Sequence, residues 1–237
     1  MNILLIAGHG QGDSGAVANG YKEAELTREI VNSIYEKLKL YANVDIFDIN
    51  KNMYKYLQKN SFDFKKYDYV FEVHFNAGTN DLTDSTTGTE ILIHPKETGR
   101  SVEENILNNI SALGFKNRGI KERTNLKNMN ICKGVQGVSY CLLEVCFIDD
   151  KDDMKLYQEK KEKISQAICD GIVYGFGLIK SNDYIINELT TVNDIVWELS
   201  ERGIISDKNL WLKKLDSDIN SYWLARKCIN YIKENVR

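Results

Sequence analysis

The sequence predicts an α/β domain, with a mostly parallel twisted sheet flanked by helices, followed by a small all-α module. Up to about residue 178, short apolar runs typical of buried strands alternate with segments whose apolar residues recur at helical spacing. Beyond residue 182 the pattern is helical, and all three tryptophans lie there. We therefore expect a domain over residues 1–178, a linker over 179–182 and a helical module over 183–237.

Each element has its own local signal. The predicted strands are 2–7, 44–47, 69–73, 89–93 and 139–145. The predicted helices are 23–40, 54–59 and 102–113, one or two helices within 152–174, and three short helices at 192–202, 207–215 and 221–235. Segments rich in Gly, Asn, Asp, Ser and Thr predict loops over 8–20 and up to Gly88.

The composition excludes several classes of function. Apolar residues make up 43% of the 237 residues, which is enough for a packed core, and the net charge of −3 gives no basic footprint for nucleic acid or anionic lipid. The N-terminus lacks the basic region of a signal peptide, and no apolar run is long enough to cross a membrane. We therefore expect a cytoplasmic protein without stable membrane association. The five cysteines have no metal-like spacing and predict reduced, mostly buried thiols.

Three polar side chains follow or close predicted strands. His9 follows the apolar run 3–7, His74 closes the strand 69–73, and Glu144 lies near the end of the strand 139–145. In parallel sheets, ligands bind at the carboxyl ends of the strands. We therefore expect these three side chains to lie close together at one edge of the sheet.

Two histidines at a sheet edge suggest a zinc site. A catalytic zinc ion usually takes three protein ligands and leaves one position for water, so one more ligand is needed. Glu23 follows the loop after His9 and opens a helix, which makes it a natural candidate. Glu25 competes with it, because the two side chains lie about 200° apart around the helix and cannot both face a metal.

Glu144 has the features of a general base. It stands among apolar residues in Leu142-Leu143-Glu144-Val145-Cys146-Phe147, where an unpaired carboxylate is costly to bury. Desolvation raises the pKa of such a carboxyl group toward the range that a base needs. Beside a zinc ion that polarises a carbonyl and acidifies water, it would take a proton from water and return it to a leaving amine.

Seven short motifs occur in order over residues 1–179. They are Ala7-Gly8-His9-Gly10, Asp13-Ser14-Gly15-Ala16, Asn19-Gly20-Tyr21-Lys22-Glu23, Val73-His74-Phe75-Asn76-Ala77, Gly88-Thr89-Glu90-Ile91, Asn117-Arg118-Gly119-Ile120-Lys121 and Leu143-Glu144-Val145-Cys146-Phe147-Ile148. In order and approximate spacing this set resembles the zinc-dependent N-acetylmuramoyl-L-alanine amidases of the type 3 family. Two segments depart from the family pattern: Ile6-Ala7-Gly8-His9 stands where Asp-x-Gly-His is usual, and residues 126–131 lack the expected Leu-x-Val-Leu.

The resemblance implies a ligand set and a reaction. It implies zinc ligands at His9, Glu23 and His74 and a catalytic glutamate at Glu144, and it favours Glu23 over Glu25 because the family's ligand follows an Asn-Gly pair. The implied reaction cleaves the amide between N-acetylmuramic acid and L-alanine of the peptidoglycan stem peptide. Asn76 is expected either to orient substrate or to cap a turn, and Arg118 either to steady a stem-peptide carboxylate or to serve the structure.

The sequence is similar to clostridial phage endolysins, which implies an enzyme kept in the host cytoplasm until it is released to the cell wall. Three alternatives stay open: a host sporulation or autolytic amidase, a zinc hydrolase acting on another amide, and an inactive wall-binding protein. For the C-terminal module we expect wall binding, with self-association into a homo-oligomer as the competing expectation. The third histidine, His94, has no partner motif and is expected to lie outside the site.

Overall fold

Four neighbouring parallel strands make up one side of a six-stranded sheet, from its edge inward. The computed structural model describes residues 1–78, 86–178 and 205–217, with the isolated positions 196 and 200. The strands of the sheet are β1 (Asn2–Ala7), β4 (Asn43–Ile46), β5 (Tyr69–Asn76), β6 (Thr89–Ile93), β7 (Asn117–Glu122) and β8 (Ser139–Phe147), and β2 (Val17–Ala18) pairs with β3 (Tyr21–Lys22) in a separate hairpin. The order is β4-β1-β5-β8-β6-β7, with β6 antiparallel to β8 and β7 parallel to β6.

Helices cover both faces of the sheet. They are α1 (Glu23–Leu38), α2 (Met53–Tyr56), α3 (Ser101–Ser111), α4 (Lys127–Met129), α5 (Lys151–Phe176) and α6 (Lys208–Ser217), with a 3₁₀ turn at Phe64–Lys66 and a π-helix at Asn130–Val135. Helices α1, α3 and α5 enclose the larger apolar core on one face. The short elements α2, α4 and the π-helix cover a smaller core on the other face. The predicted α/β fold with a mostly parallel sheet is confirmed.

Several element boundaries differ from the prediction. Strands β5 and β8 each run past the predicted ends because they pair with each other there, His74 with Glu144 and Asn76 with Phe147. His74 and Glu144 therefore lie within paired strands, not at their ends. Strand β7 was not predicted, because its half-buried sequence has no alternation of apolar and polar residues. Helix α5 is continuous, with Asp150 capping its first turn and Gly177 in the left-handed conformation after its last.

The chain divides into two compact units, Met1–Leu178 and Ile179–Arg237. In the second unit, α6 corresponds to the helix predicted over 207–215. The expected linker and nearly all of the other two helices predicted there lie outside the described residues, as do Trp197, Trp223 and Cys228. Among the described residues, the other four cysteines are free and buried. None of the helices found in the described ranges is long and apolar enough to cross a bilayer.

Candidate metal and catalytic site

The loop after β1 holds His9 in a strained conformation. The φ angle of His9 is 61°, in the left-handed region that is unfavourable for a residue with a side chain. Arg28 of α1 holds this loop in place. Its guanidinium donates to the backbone carbonyls of Gly8 at 2.7 Å and His9 at 2.7 Å. The same guanidinium donates to the carbonyls of Ala24, Ile49 and Lys51. One side chain thus ties the His9 loop to α1 and to the segment after β4.

His9, Glu23 and His74 converge on one point. The two oxygens of Glu23 separate the two rings: Oε2 lies 3.0 Å from His9 Nε2, and Oε1 lies 2.8 Å from His74 Nδ1. One potential ligand atom from each residue lies within 4.8 Å of the others. Glu23 is 4% exposed. Burial alone would raise the pKa of Glu23, but its hydrogen bonds with His74 and His9 outweigh burial and hold the pKa below the usual value.

Each histidine also has a carboxylate on its far side. Asp13 Oδ2 lies 3.1 Å from His9 Nδ1, and Glu72 Oε1 lies 2.9 Å from His74 Nε2. In metal sites, a ligating histidine usually donates its second ring N–H to such a partner, which orients the ring. Neither Asp13 nor Glu72 was predicted as a site residue. Asp13 opens the motif Asp13-Ser14-Gly15-Ala16. Glu72 stands two residues before His74 on the same strand face, so strand periodicity was the available signal for Glu72.

The donor set suits zinc. Two imidazole nitrogens and one carboxylate oxygen are ligand types of catalytic zinc sites, which keep a further position open. The nitrogens that face Glu23 are Nε2 of His9 and Nδ1 of His74. The other nitrogen of each ring faces its outer partner, Asp13 for His9 and Glu72 for His74. The arrangement therefore fits a zinc ion, while the assignment of His9, Glu23 and His74 as its ligands stays a prediction. Glu25 points away and pairs with Lys22 in solvent.

Glu144 faces the same cleft. It pairs with His74 across β5 and β8, and its Oε2 is buried without a hydrogen-bond partner among the described residues. Burial raises the pKa of Glu144 to about 7, against the opposing effect of His74. The cleft has a volume of about 340 Å³ and is lined by His9, His74 and Glu144 on one side and Tyr54 and Lys127 on the other. A buried carboxyl group that titrates near neutrality beside a candidate metal site can act as a proton acceptor and donor.

Asn76 and Arg118 meet at a third carboxylate, Glu90. Asn76 Nδ2 donates to Glu90 Oε1 at 3.1 Å, and Arg118 Nε donates to Glu90 Oε2 at 2.6 Å. Lys121 also donates to Glu90 Oε2. Glu90 was not predicted as a site residue, although it lies within the motif Gly88-Thr89-Glu90-Ile91 and opposite Glu144 in the β6–β8 pair. A neutralised carboxylate thus holds two cationic side chains next to Glu144.

Asn76 also has a local role, because its Oδ1 accepts from the backbone N–H of Ala77. The side chain of Asn76 is therefore already fixed by Glu90 and Ala77, whichever of its two expected roles, substrate orientation or turn capping, it has. His94 is buried away from this cluster, and its Nδ1 accepts from the backbone N–H of Lys96.

Comparisons with known proteins place the first unit in one group. The family model described as N-acetylmuramoyl-L-alanine amidase matches residues 3–174. The chain is 26% identical over 176 residues to the N-acetylmuramoyl-L-alanine amidase LytC of Bacillus subtilis, covering 72% of this chain and 34% of that protein. It is 28% identical over 190 residues to the endolysin of Bacillus phage SPP1, covering 75% of this chain and 65% of that protein.

The fold is shared with a solved structure. The catalytic domain of the CD27L endolysin, which targets Clostridia difficile, superimposes with a TM-score of 0.59 at 21% identity, over 73% of this chain and 97% of that one. The aligned part of the chain spans less than two thirds of the length of both relatives in sequence. The matched region contains all six predicted site residues and ends before the second unit.

Proposed function

The chain belongs to the N-acetylmuramoyl-L-alanine amidase family, and on that premise we propose that it is a zinc-dependent peptidoglycan hydrolase. The proposed reaction cleaves the amide between N-acetylmuramic acid and L-alanine of the stem peptide. The observation that carries the proposal is the convergence of His9, Glu23 and His74 beside the buried carboxyl group of Glu144. A zinc hydrolase needs this combination of a three-ligand site and an adjacent base.

The proposed roles follow from the contacts. His9, Glu23 and His74 would hold the zinc ion, which when bound supplies polarisation of the scissile carbonyl and acidification of a water molecule. Glu144 would accept the proton of the attacking water and later donate it to the amine of the departing L-alanine. Its buried position suits both steps, because a carboxyl group with a pKa near 7 exchanges protons readily at neutral pH.

Substrate recognition is proposed for the side chains around Glu90, on the other side of Glu144. Arg118 and Lys121 bring two positive charges against the single negative charge of Glu90. A guanidinium group is suited to binding a carboxylate, which supports the proposed role of Arg118 at the stem peptide. Asn76, held by Glu90, would present its backbone and side chain to the same part of the substrate.

Digestion of purified peptidoglycan tests the reaction. We expect new amino-terminal L-alanine without new reducing sugars. Glu144→Gln should keep stoichiometric zinc and lose about two or more orders of magnitude of rate, whereas His74→Ala should lose the zinc. Glu103→Gln is a control, because Glu103 is a buried glutamate of α3 that packs over the opposite face of the sheet and accepts from Tyr69. Normal lysis by Glu144→Gln would remove Glu144 as the base, and another pattern of new termini would indicate a different amide.

Within the family, we propose an endolysin that stays in the host cytoplasm until it is released to the wall. The similarity to the endolysin of Bacillus phage SPP1 supports this proposal. A host amidase would share the same chemistry, and the similarity to LytC keeps it as the rival. The neighbouring genes distinguish the two: holin and tail genes support an endolysin, and sporulation or autolysis genes support a host enzyme.

For the second unit, Ile179–Arg237, we propose wall binding. Its described helix α6 exposes Leu210 and carries Trp211 with Lys214 over the indole ring, which is a surface suited to a polar polymer. A wall pull-down together with light scattering of residues 183–237 tests the proposal. A monomer that sediments with walls supports it, whereas a stable oligomer that stays in solution favours self-association.

A further inference from the structure

A buried carboxylate, that of Glu72, lies beside His74 in the lining of the cleft. Glu72 precedes His74 by two residues on β5, so both side chains point to the same face of the sheet. Glu72 is 4% exposed, and its Oε1 lies 2.9 Å from His74 Nε2. No step of the proposed reaction uses this carboxylate, and burying it without partners would be costly.

Two further donors hold Glu72 in place. Asn128 Nδ2 lies 3.0 Å from Oε1 and 2.9 Å from Oε2, and the hydroxyl of Tyr140 donates to Oε2. Asn128 comes from α4, in the segment that departs from the family pattern, and Tyr140 comes from β8. Three elements thus converge on one carboxylate whose bond to His74 is its only link to the candidate metal site among the described contacts.

Both ring nitrogens of His74 face a carboxylate, Nδ1 that of Glu23 and Nε2 that of Glu72, so one tautomer is selected only when zinc takes the place of the proton on Nδ1. An ionised carboxylate only accepts, so the imidazole nitrogen that faces Glu72 must carry the proton. With the proton on Nε2, a neutral ring keeps its lone pair on Nδ1, and Nδ1 is the atom that faces Glu23 and the candidate zinc position. The opposite tautomer would place a proton on the ligating nitrogen and a lone pair against the carboxylate.

We propose that Glu72, fixed by Asn128 and Tyr140, is a positioning residue that sets the His74 tautomer and ring orientation for zinc binding; this rests on the proposed zinc site. Partners of this kind commonly change metal affinity by about 10- to 100-fold. His9 has the corresponding partner in Asp13, but the side chain of Asp13 is 34% exposed, against 5% for Glu72. Solvent replaces the more exposed Asp13 more easily than the buried Glu72, so the larger effect is expected at Glu72.

The test is zinc affinity by competition with a fluorescent chelator. Glu72→Gln should weaken zinc binding by about 10- to 100-fold, because the carboxamide keeps the shape but offers one acceptor oxygen to three donors and can turn its own N–H toward His74. Tyr140→Phe should give a smaller loss in the same direction, since it removes one of the groups that hold Glu72.

Matched controls come from the other face of the sheet. Glu103 is 5% exposed and accepts from the hydroxyl of Tyr69 at 2.9 Å, as Glu72 accepts from Tyr140, but it touches no histidine. Glu103→Gln and Tyr69→Phe should leave zinc affinity unchanged even where they lower the melting temperature. If Glu103→Gln weakens zinc binding as much as Glu72→Gln does, the Glu72 effect is general destabilisation and the inference is wrong.

A second measurement uses the wild-type protein, so it does not depend on the folding of a variant. In the zinc-loaded wild type, long-range ¹H–¹⁵N correlation spectra of the histidines should show His74 protonated at Nε2 and bound to the metal through Nδ1. Binding through Nε2, or the absence of a proton on Nε2, overturns the inference. If the wild type binds zinc and Glu72→Gln binds it equally well, only the inference about Glu72 fails. If the wild type binds no zinc, the proposed function fails and this inference fails with it.

Discussion

Glu23 and Glu144 line the same site, yet their environments move their pKa values in opposite directions. Glu23 is buried between two histidines, and its hydrogen bonds with them hold its pKa below the usual value. Glu144 has a buried oxygen without a hydrogen-bond partner in the described part of the chain, and desolvation raises the pKa of this carboxyl group to about 7. Such a separation suits two like residues to different tasks, which supports the proposed roles of Glu23 as an ionised ligand and Glu144 as a proton-transferring base.

The pH dependence of activity should follow from the pKa of Glu144. A general base works only when ionised, so kcat/KM should fall tenfold per pH unit as the pH drops below about 7, not below the value near 4.5 of an ordinary glutamate. The measurement is kcat/KM on solubilised muropeptides from pH 5 to 9, with zinc occupancy determined at each pH. An acidic limb near pH 4.5 at full occupancy would show that Glu144 is not the group that titrates.

Gly8 should not tolerate even one methyl group. A Cβ atom at Gly8 would lie 2.4 Å from Cε1 and 2.5 Å from Nε2 of His74, a ring already fixed from both sides. Gly8→Ala should therefore displace His74, cost about 1–3 kcal/mol of stability and weaken zinc binding by at least about tenfold. Gly99→Ala is the control, because nothing lies within 4 Å of a Cβ there. Zinc titration of both variants checks this, and normal affinity of Gly8→Ala would contradict the position of His74.

At the scale of elements, apolar periodicity predicted the buried strands and helices but not how far they extend. Strand β5 continues through His74 and Asn76 because β8 pairs with it, and such pairing is non-local information. Strand β7 is a half-buried edge strand with two charged pairs to Glu90, so its sequence carries no apolar signal. That His9, Glu23, His74 and Glu144 lie close together could be predicted because all four lie in motifs. The contacts of Glu90 could not, since its partners Asn76 and Arg118 come from other strands.

Helix α5 should depend on its N-cap. Asp150 accepts from the backbone N–H of Asp153 at 2.8 Å and stands directly after the turn that ends β8. Asp150→Ala should cost about 1 kcal/mol, and in a protein of this size the melting temperature should fall by about 2–4 °C. Asp150→Asn keeps an acceptor oxygen and should lose less. Calorimetry of the wild type and the two variants measures the difference. A melting temperature of Asp150→Ala equal to that of the wild type would show that the cap contributes nothing.

At the scale of the molecule, the two faces of the sheet have different tasks. The three long helices α1, α3 and α5 enclose the larger core, whereas the face that carries Glu72, His74 and Glu144 is covered only by short elements. This lighter cover leaves room for the cleft between the sheet and Tyr54 and Lys127. The alternation of strands and helices predicted the fold class, but which face stays open depends on the lengths of the covering helices and emerges only in three dimensions.

Arg28 makes the architecture of the site independent of any ion. Its hydrogen bonds to the carbonyls of Gly8, His9, Ala24, Ile49 and Lys51 hold the strained loop by protein contacts alone. In small zinc domains the energy of metal binding is the energy of folding, but here the scaffold has its own large core. Chelation should therefore abolish activity while the far-ultraviolet circular dichroism and a single cooperative melting transition persist.

The free energy of unfolding should fall only by the ligand-linkage contribution, about 3–4 kcal/mol for zinc at 100 to 1,000 times its dissociation constant. Activity should return when zinc is added back, and loss of the cooperative transition on chelation would contradict the role of Arg28. For the proposed zinc hydrolase, folding and activation are then separate events, and the metal-free chain is a finished protein that needs only the ion to become active.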